Sequence, residues 1–299
     1  MKGVLLMAYG SPRSMEGVEA YYTHIRGGRN PPPDHLEDLV RRYEAIGGPS
    51  SLLRITEAQA DGLRRALQSS GSTTKVYAGM KHSEPFISEV VASAKADGVS
   101  ELLCIALAPH YSSISIGGYI RAVEEANGAS GTKMKLDFVK SWHDNPLLVS
   151  MWASEVREMT SAAGKGSETI FSAHSLPERI IKEGDPYRDE LLRTSALVAE
   201  AAGGVKWSFA FQSASKTGEP WLGPDIVEHL QRRFDAGTRS FVLAPIGFVS
   251  DHLEILYDLD VEAKDWATEA GAAVRRCPSP NDSDEFIACL MSVVREHGY

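Results

Sequence analysis

"FSAHSLPE", residues 171–178, ends a short apolar run that begins at Glu168. The run predicts a buried parallel strand, and the proline within the quoted stretch prevents a regular continuation. In open α/β sheets, side chains at the carboxyl ends of strands face the binding crevice. His174 is then either a crevice histidine that takes up a proton or binds a metal near pH 7, or a core histidine satisfied by a backbone carbonyl. The stretch alone does not separate these two interpretations.

Length and composition limit the classes of protein to which this chain can belong. A chain of 299 residues can bury a large core, as one big domain or two ordinary ones. The net charge of −9 argues against a nucleic-acid partner, which needs a basic face. No signal peptide is recognised, and no apolar stretch approaches the roughly 20 residues that span a bilayer. The three cysteines are widely spaced and form neither a disulfide framework nor a Cys-x-x-Cys site, so a reduced, cytoplasmic protein is expected: Cys104, Cys277 and Cys289.

Predicted strands and helices alternate along the whole chain. This alternation is typical of parallel sheets that are covered by helices on both faces. At one helix start, Thr56 and Gln59 have the spacing of a capping box. The predicted strands lie near 3–9, 74–80, 101–108, 133–139, 168–174, 205–212, 240–246 and 273–277, and the predicted helices include 34–45, 56–68, 86–96, 225–234 and 251–270.

The two halves of the sequence resemble each other. Residues 4–12 parallel residues 169–177, which places Tyr9 and His174 at equivalent strand ends. In addition, Glu84-Pro85 and Glu219-Pro220 each precede an Ala-Pro pair, by 24 and 25 residues between the prolines. An internal repeat of this kind predicts two similar lobes.

We therefore expect an N-terminal lobe over residues 1–150 and a C-terminal lobe over residues 151–299. Each is predicted to be a four-stranded parallel sheet flanked by helices, with a cleft between the two. The composition of residues 161–167 indicates a loop near the boundary.

Three carboxylates are spaced to lie along one face of the helix predicted after residue 250. Glu254, Asp258 and Glu262 follow an i, i+4, i+8 pattern. Such a row is commonly a solvated surface, but here apolar residues between the acids indicate a helix buried on more than one side. Carboxylates in that setting need cations or protons nearby. The row therefore favours metal handling or proton relay, and His252 is expected to be structural or to support the site.

A basic segment stands out in this acidic chain. Residues 24–33 are rich in Arg, Gly and Pro, and Arg41 and Arg42 follow. Arginines in this setting suit carboxylates or phosphates, although ordinary surface ion pairs are the commoner outcome. No P-loop, dinucleotide-binding glycine motif or Gly-x-Ser-x-Gly elbow is present. Four further residues could reach the cleft but are individually more typical of structural roles: Lys81, His82, His110 and Tyr119.

Three motifs, in order, resemble those of the ferrochelatase family: SAHSLP at 172–177, WLGP at 221–224 and PIGFVSDHLE at 245–254. The resemblance extends over essentially the full length. The early motifs are similar to the Gram-positive branch, the coproporphyrin ferrochelatases: MAYGSP at 7–12, YYTHIR at 21–26 and YEAIGG at 43–48.

The resemblance implies a chelatase-like fold of two Rossmann-like lobes around a porphyrin cleft, and insertion of Fe²⁺ into coproporphyrin III to give coproheme. By the same resemblance, His174 and Glu254 match the catalytic, iron-handling pair, and Tyr9 matches the proximal ligand of the product iron. The implied porphyrin contacts are Tyr9, Arg26, Arg42, Tyr43, Ser50 and Tyr119, and the implied outer metal site is Arg42, Asp258 and Glu262.

The resemblance also bears on cofactors and partners. Fe²⁺ is expected as a substrate, with an outer Mg²⁺ and no permanently bound cofactor. Three cysteines cannot supply the four ligands of the iron–sulfur cluster that some members carry. We expect a cytoplasmic monomer without a transmembrane segment, and contacts with upstream and downstream heme-pathway enzymes.

Three alternatives remain open at this point. The chain could act on protoporphyrin IX instead of coproporphyrin III. It could be a sirohydrochlorin-type cobalt or nickel chelatase, or a two-lobe binding protein that carries heme.

Overall fold

In the computed structural model, residues 1–129, 131, 133–215 and 218–299 are described. The strands are β1 Lys2–Ala8, β2 Lys75–Met80, β3 Glu101–Ala106, β4 Lys135–Val139, β5 Glu168–His174, β6 Trp207–Gln212, β7 Ser240–Ala244 and β8 Ala273–Arg276. The helices are α1 Val18–Ile25, α2 Pro33–Ala45, α3 Leu52–Ser69, α4 Ile87–Ala96, α5 Ile116–Gly128, α6 Pro146–Ala163, α7 Arg179–Lys182, α8 Tyr187–Ala201, α9 Ile226–Asp235, α10 Leu253–Tyr257, α11 Ala263–Ala270 and α12 Asp284–Glu296.

The strands form two four-stranded sheets with the same order, β2-β1-β3-β4 and β6-β5-β7-β8. Every strand pair is parallel. The central strands β1 and β5 are buried almost throughout, as expected for sheets covered on both faces. The predicted fold class, two similar α/β lobes, is confirmed. His174 closes β5, and Tyr9 directly follows β1.

The predicted capping box at Thr56 is wrong. The helix begins one turn earlier, at Leu52, because apolar residues extend its buried face in that direction. The Thr56 hydroxyl instead donates to the Leu52 carbonyl at 2.8 Å. Gln59 reaches the second lobe, where its amide donates to the Ser250 hydroxyl at 2.9 Å.

The repeat is also aligned differently from the prediction. The backbone N–H of Met80 donates to the Pro85 carbonyl at 2.8 Å, and that of Phe211 donates to the Pro224 carbonyl at 2.8 Å. The structural counterpart of Glu84-Pro85 is therefore Gly223-Pro224, four residues beyond the predicted Glu219-Pro220.

The helix predicted over 251–270 is interrupted. Between α10 and α11, residues Asp258–Glu262 form a π-helical turn, in which the Ala263 N–H donates to the Asp258 carbonyl five residues back. Wide turns of this kind are frequent at functional sites. This one lies within the predicted row of carboxylates.

The two lobes share one hydrophobic core. It includes Leu6 and Leu103 of the first sheet and Phe171 and Val242 of the second, joined through α6 and α12. The predicted boundary at residue 150 falls inside α6, and the C-terminal helix α12 packs against α3 of the first lobe. None of the helices in the described ranges is both long and apolar enough to span a membrane.

Candidate active site

An imidazole and a carboxylate meet where β5 ends. His174 is placed by β5, and Glu254 lies in the first turn of α10, which follows β7. His174 Nε2 is 3.3 Å from Glu254 Oε1, and each side chain is about one-third exposed (29% and 35%). The other ring nitrogen, Nδ1, contacts the Ser175 carbonyl. His174 is thus partly exposed, and its two ring nitrogens have different partners, a carboxylate and a backbone carbonyl.

The pair is electrostatically coupled. Burial favours the neutral imidazole, but the adjacent Glu254 carboxylate outweighs it and raises the pKa of His174 to about 9. Conversely, His174 and His252 lower the pKa of Glu254 well below its usual range despite burial. His252 Nε2 is 3.2 Å from Glu254 Oε2, which gives it the supporting position that was expected. A metal ion that binds His174 must therefore displace a proton from the imidazole.

Tyrosines from the first lobe surround this pair. Tyr9 is 44% exposed, and its ring centroid lies 4.5 Å from that of His82. Desolvation and then the Glu254 carboxylate raise the pKa of Tyr9, which indicates that the phenol and the carboxylate interact across the cleft. Tyr43 and Tyr119 are buried, and burial raises the pKa of Tyr43 to about 12. After burial, the Glu254 carboxylate also raises the pKa of Tyr43 and of Tyr119, so all three phenols lie within its electrostatic range.

The predicted anion-binding residues lie on α1, α2 and the following loop. Within the described ranges, the buried Nε of Arg26 has no hydrogen-bond partner. Arg42 already pairs with two carboxylates of the protein: its Nε lies 2.9 Å from Asp38, and its Nη1 lies 3.4 Å from Asp258. The Ser50 hydroxyl donates to the Ser11 hydroxyl at 2.9 Å. Arg26 thus keeps a donor that no group of the described protein satisfies.

Asp258 and Glu262 continue the row of carboxylates that begins at Glu254. Asp258 is buried and accepts hydrogen bonds from Ser213 and, at 3.4 Å, from Gln212. Burial and repulsion from Glu254 and Glu262 raise the pKa of Asp258 to about 7, against the opposing effect of Ser213 and Arg42. Burial also raises the pKa of the half-buried Glu262. The row thus contains carboxyl groups that ionise with difficulty.

Gln212, which no sequence motif indicated, lies beside the His174–Glu254 pair. It closes β6 beside His174, accepts from the Ser172 hydroxyl at 3.0 Å and donates to the Glu254 carbonyl at 3.3 Å. The strand-end rule that selected His174 also applies to Gln212. Among the described residues, no three His, Cys, Asp or Glu side chains are grouped to hold a metal.

The two-lobed fold has counterparts among solved structures. The sirohydrochlorin chelatase SirB from Bacillus subtilis subspecies spizizenii, in complex with cobalt, has a TM-score of 0.60. It is 9% identical, and the match covers 99% of this chain and 95% of that chain. This likeness concerns the fold, which is that of the two-lobed chelatases.

Sequence comparison is more specific. A family model described as Ferrochelatase matches residues 1–298. The coproporphyrin III ferrochelatase of Bacillus subtilis (strain 168) is 45% identical over 300 residues, 98% of this chain and 96% of that protein. A ferrochelatase of Herpetosiphon aurantiacus is 43% identical over 296 residues, 97% of each chain. The chain belongs to the ferrochelatase family of metal-inserting enzymes. Membership confirms the resemblance and sets aside the sirohydrochlorin and heme-carrier alternatives.

Proposed function

We propose that this enzyme inserts ferrous iron into coproporphyrin III and forms coproheme for heme biosynthesis. The His174–Glu254 pair, at 3.3 Å in the cleft, is the observation that carries the proposal. An imidazole and a carboxylate bind Fe²⁺ without retaining it as firmly as a full ligand set would. The choice of coproporphyrin III is supported by relatives of that name at 42–45% identity over nearly the whole chain.

The reaction exchanges two protons for one metal ion. A free porphyrin carries two inner N–H protons, which must leave as Fe²⁺ enters. A site that holds the macrocycle bent would expose a pyrrole lone pair to the metal. We propose that Glu254 and His174 receive Fe²⁺ on one face and that Tyr9 approaches the other. As Fe²⁺ passes to the ring, the freed Nε2 of His174 accepts one pyrrole proton, and the second proton leaves to solvent by way of Glu254.

The anionic side chains of the substrate have suitable partners. Coproporphyrin III carries four propionates, and guanidinium groups bind carboxylates through charge-assisted hydrogen bonds. The buried, unpartnered Nε of Arg26 supports a propionate contact there. We propose the remaining contacts at Arg42, Tyr43, Ser50 and Tyr119.

The implied outer Mg²⁺ is not supported by the arrangement of its residues. Asp258 and Glu262 offer the oxygen ligands that Mg²⁺ prefers. However, both oxygens of Asp258 are engaged, by Arg42 on one side and by Ser213 and Gln212 on the other. Binding would require these partners to release the carboxylate. The absence of an iron–sulfur cluster, the monomeric state, the cytoplasmic location and the heme-pathway partners stay predictions.

The substrate is tested by anaerobic Fe²⁺ insertion with coproporphyrin III and protoporphyrin IX side by side. We expect kcat/KM to favour coproporphyrin III by about tenfold or more, because a charge-assisted contact to each additional propionate strengthens binding. A preference for protoporphyrin IX would overturn the substrate assignment but not family membership.

The catalytic pair is tested by His174→Ala. We expect Fe²⁺ insertion to fall by at least about 100-fold, because the variant loses both a metal ligand and a proton acceptor. Coproporphyrin III binding, measured by fluorescence quenching, should stay within about threefold of wild type. His35→Ala is the matched control, since His35 is an exposed imidazole on α2. Wild-type insertion by purified His174→Ala would rule out this role.

A further inference from the structure

Two cationic side chains of the first lobe, those of Lys81 and Arg121, lie close together beside the start of α5. Lys81 follows β2, and Arg121 lies one turn into α5. A Cβ atom on Gly118 would be 2.5 Å from Lys81 Nζ and 3.9 Å from Arg121 Nη2, and one on Gly117 would be 3.4 Å from Arg121 Nη1. The two glycines therefore leave the space that both cationic groups occupy.

This pair of like charges has no acidic partner among the residues that the structure describes. Across the described ranges, neither Lys81 nor Arg121 forms an ion pair with a carboxylate. Burial, and then the charge of Arg121, lower the pKa of Lys81. Two cations in this arrangement repel each other, and a bound anion would relieve the repulsion. The chain thus holds an uncompensated positive site in a protein of net charge −9.

The location of the pair indicates which anion would fit. Lys81 Nζ lies 5.3 Å above the centroid of the Tyr119 ring. The Lys81 backbone N–H donates to the Ala8 carbonyl at 2.9 Å, immediately before Tyr9, and the neighbouring His82 ring packs against Tyr9. The pair therefore lies at the edge of the cleft assigned above to the porphyrin.

We propose that Lys81 and Arg121 form a carboxylate subsite that binds one propionate of the porphyrin substrate. The inference rests on the proposed function, because coproporphyrin III supplies the carboxylates. The lysine gives a compact charge and the arginine a planar donor fork, so one carboxylate can accept from both. In the part of the chain that the structure describes, neither side chain has a recorded contact with His174 or Glu254, so the subsite acts on binding and not on the exchange of protons for metal.

The test compares coproporphyrin III binding in wild type and in the variant Lys81→Met, Arg121→Met. We expect the Kd, measured by fluorescence quenching, to rise about tenfold, and KM to rise in parallel while kcat stays within about twofold. Lys81→Arg keeps the charge and should bind within about threefold of wild type. Lys75→Met is the matched control, because Lys75 lies at the opposite end of β2 and pairs with Asp97 at 3.0 Å.

The proposal is overturned if the double variant binds coproporphyrin III within twofold of wild type, or if Lys75→Met weakens binding equally. The latter result would indicate a general effect of net charge. Failure of the proposed function has a different signature: the wild-type enzyme would then not metallate coproporphyrin III, whatever the variants do. Thermal melting of each variant separates loss of binding from loss of folding.

Discussion

A single glycine determines how closely the backbone packs beside His174. The Gly247 N–H donates to the Ser172 carbonyl at 3.1 Å. A Cβ atom at position 247 would lie 2.4 Å from Ala173 Cβ and 2.8 Å from Ala173 Cα, and the latter atom is backbone that cannot move aside. Only glycine allows this approach, which brings the end of β5 against the loop that leads to Glu254.

We expect Gly247→Ala to reduce both stability and insertion rate. Overpacking at this point costs about 2 kcal/mol and pushes the residue before His174 away from its position. Chemical denaturation and Fe²⁺ insertion assays measure the two effects. Gly128→Ala is the control, because a Cβ there meets nothing within 4 Å. If Gly247→Ala were as stable and active as wild type, close packing would not be what holds His174.

Glu168, at the start of β5, is a buried carboxylate with several partners. Its side chain is fully buried, and Oε2 lies 2.8 Å from both Lys206 Nζ and Arg233 Nη2. The Ser208 hydroxyl donates to Oε1 at 2.8 Å. Burial opposes ionisation, but these contacts prevail and lower the pKa of Glu168 from 4.5 to about 2.

The stabilising effect of Glu168 should depend on pH. Because its pKa is lower in the folded protein, the contribution is complete above the unfolded value of 4.5 and is lost as the pH falls towards 2. At pH 7, Glu168→Gln should lower the free energy of unfolding by about 3 kcal/mol. Urea denaturation at pH 7 and pH 3 should show the difference shrinking at the lower pH. Glu183→Gln, which removes an exposed carboxylate on the same lobe, should change stability little at either pH. A difference that is constant with pH would contradict this account.

At the scale of elements, the segment from α10 through the π-helical turn is held by a residue of β8. Arg276 is 13% exposed, and its Nη1 lies 3.2 Å from Asp251 Oδ1, before α10. Its Nη2 lies 2.8 Å from Asp260 Oδ2, within the turn. Asp251 also accepts from the Ser279 hydroxyl and the Asn281 amide, at 2.7 and 3.0 Å. One guanidinium thus joins both ends of the segment that carries Glu254.

Arg276→Met should misplace Glu254 without removing any group that touches the substrate. We expect kcat to fall about tenfold or more while the KM for porphyrin changes by less than about threefold, because small displacements of a catalytic group are costly. Arg275→Met, at the exposed neighbouring position, is the control. A parallel loss of stability with unchanged kcat would mean that Arg276 is only structural.

Much at this scale could be predicted from sequence. Each predicted strand overlaps an observed one, since buried parallel strands appear as uninterrupted apolar runs. The π-helical turn could not be predicted, because its extra residue leaves the hydrophobic pattern of a helix nearly unchanged. Position 254 was predicted from the carboxylate spacing, but Gln212 was not, since an amide gives no charge signal. The Lys81–Arg121 pair depends on an approach of the residue after β2 to the start of α5, which sequence spacing does not reveal.

At the scale of the whole molecule, Phe286 of α12 connects the lobes. Its side chain is fully buried in the core shared by both sheets, and its ring centroid lies 6.1 Å from that of Trp142. Phe286→Ala should lower the free energy of unfolding by about 4 kcal/mol. Calorimetry should show one transition at lower temperature, because both lobes lose support together. Leu192→Ala, at a position that is 38% exposed, should shift the transition less. Two separated transitions would show that the lobes are independent.

The core that both lobes share also limits how the protein can move when a substrate binds. Close-packed interiors resist compression, and α6 and α12 pack in the core that both lobes share. The lobes are therefore not expected to open and close against each other. If porphyrin binds as proposed, the distortion on binding would then fall on the macrocycle rather than on the protein.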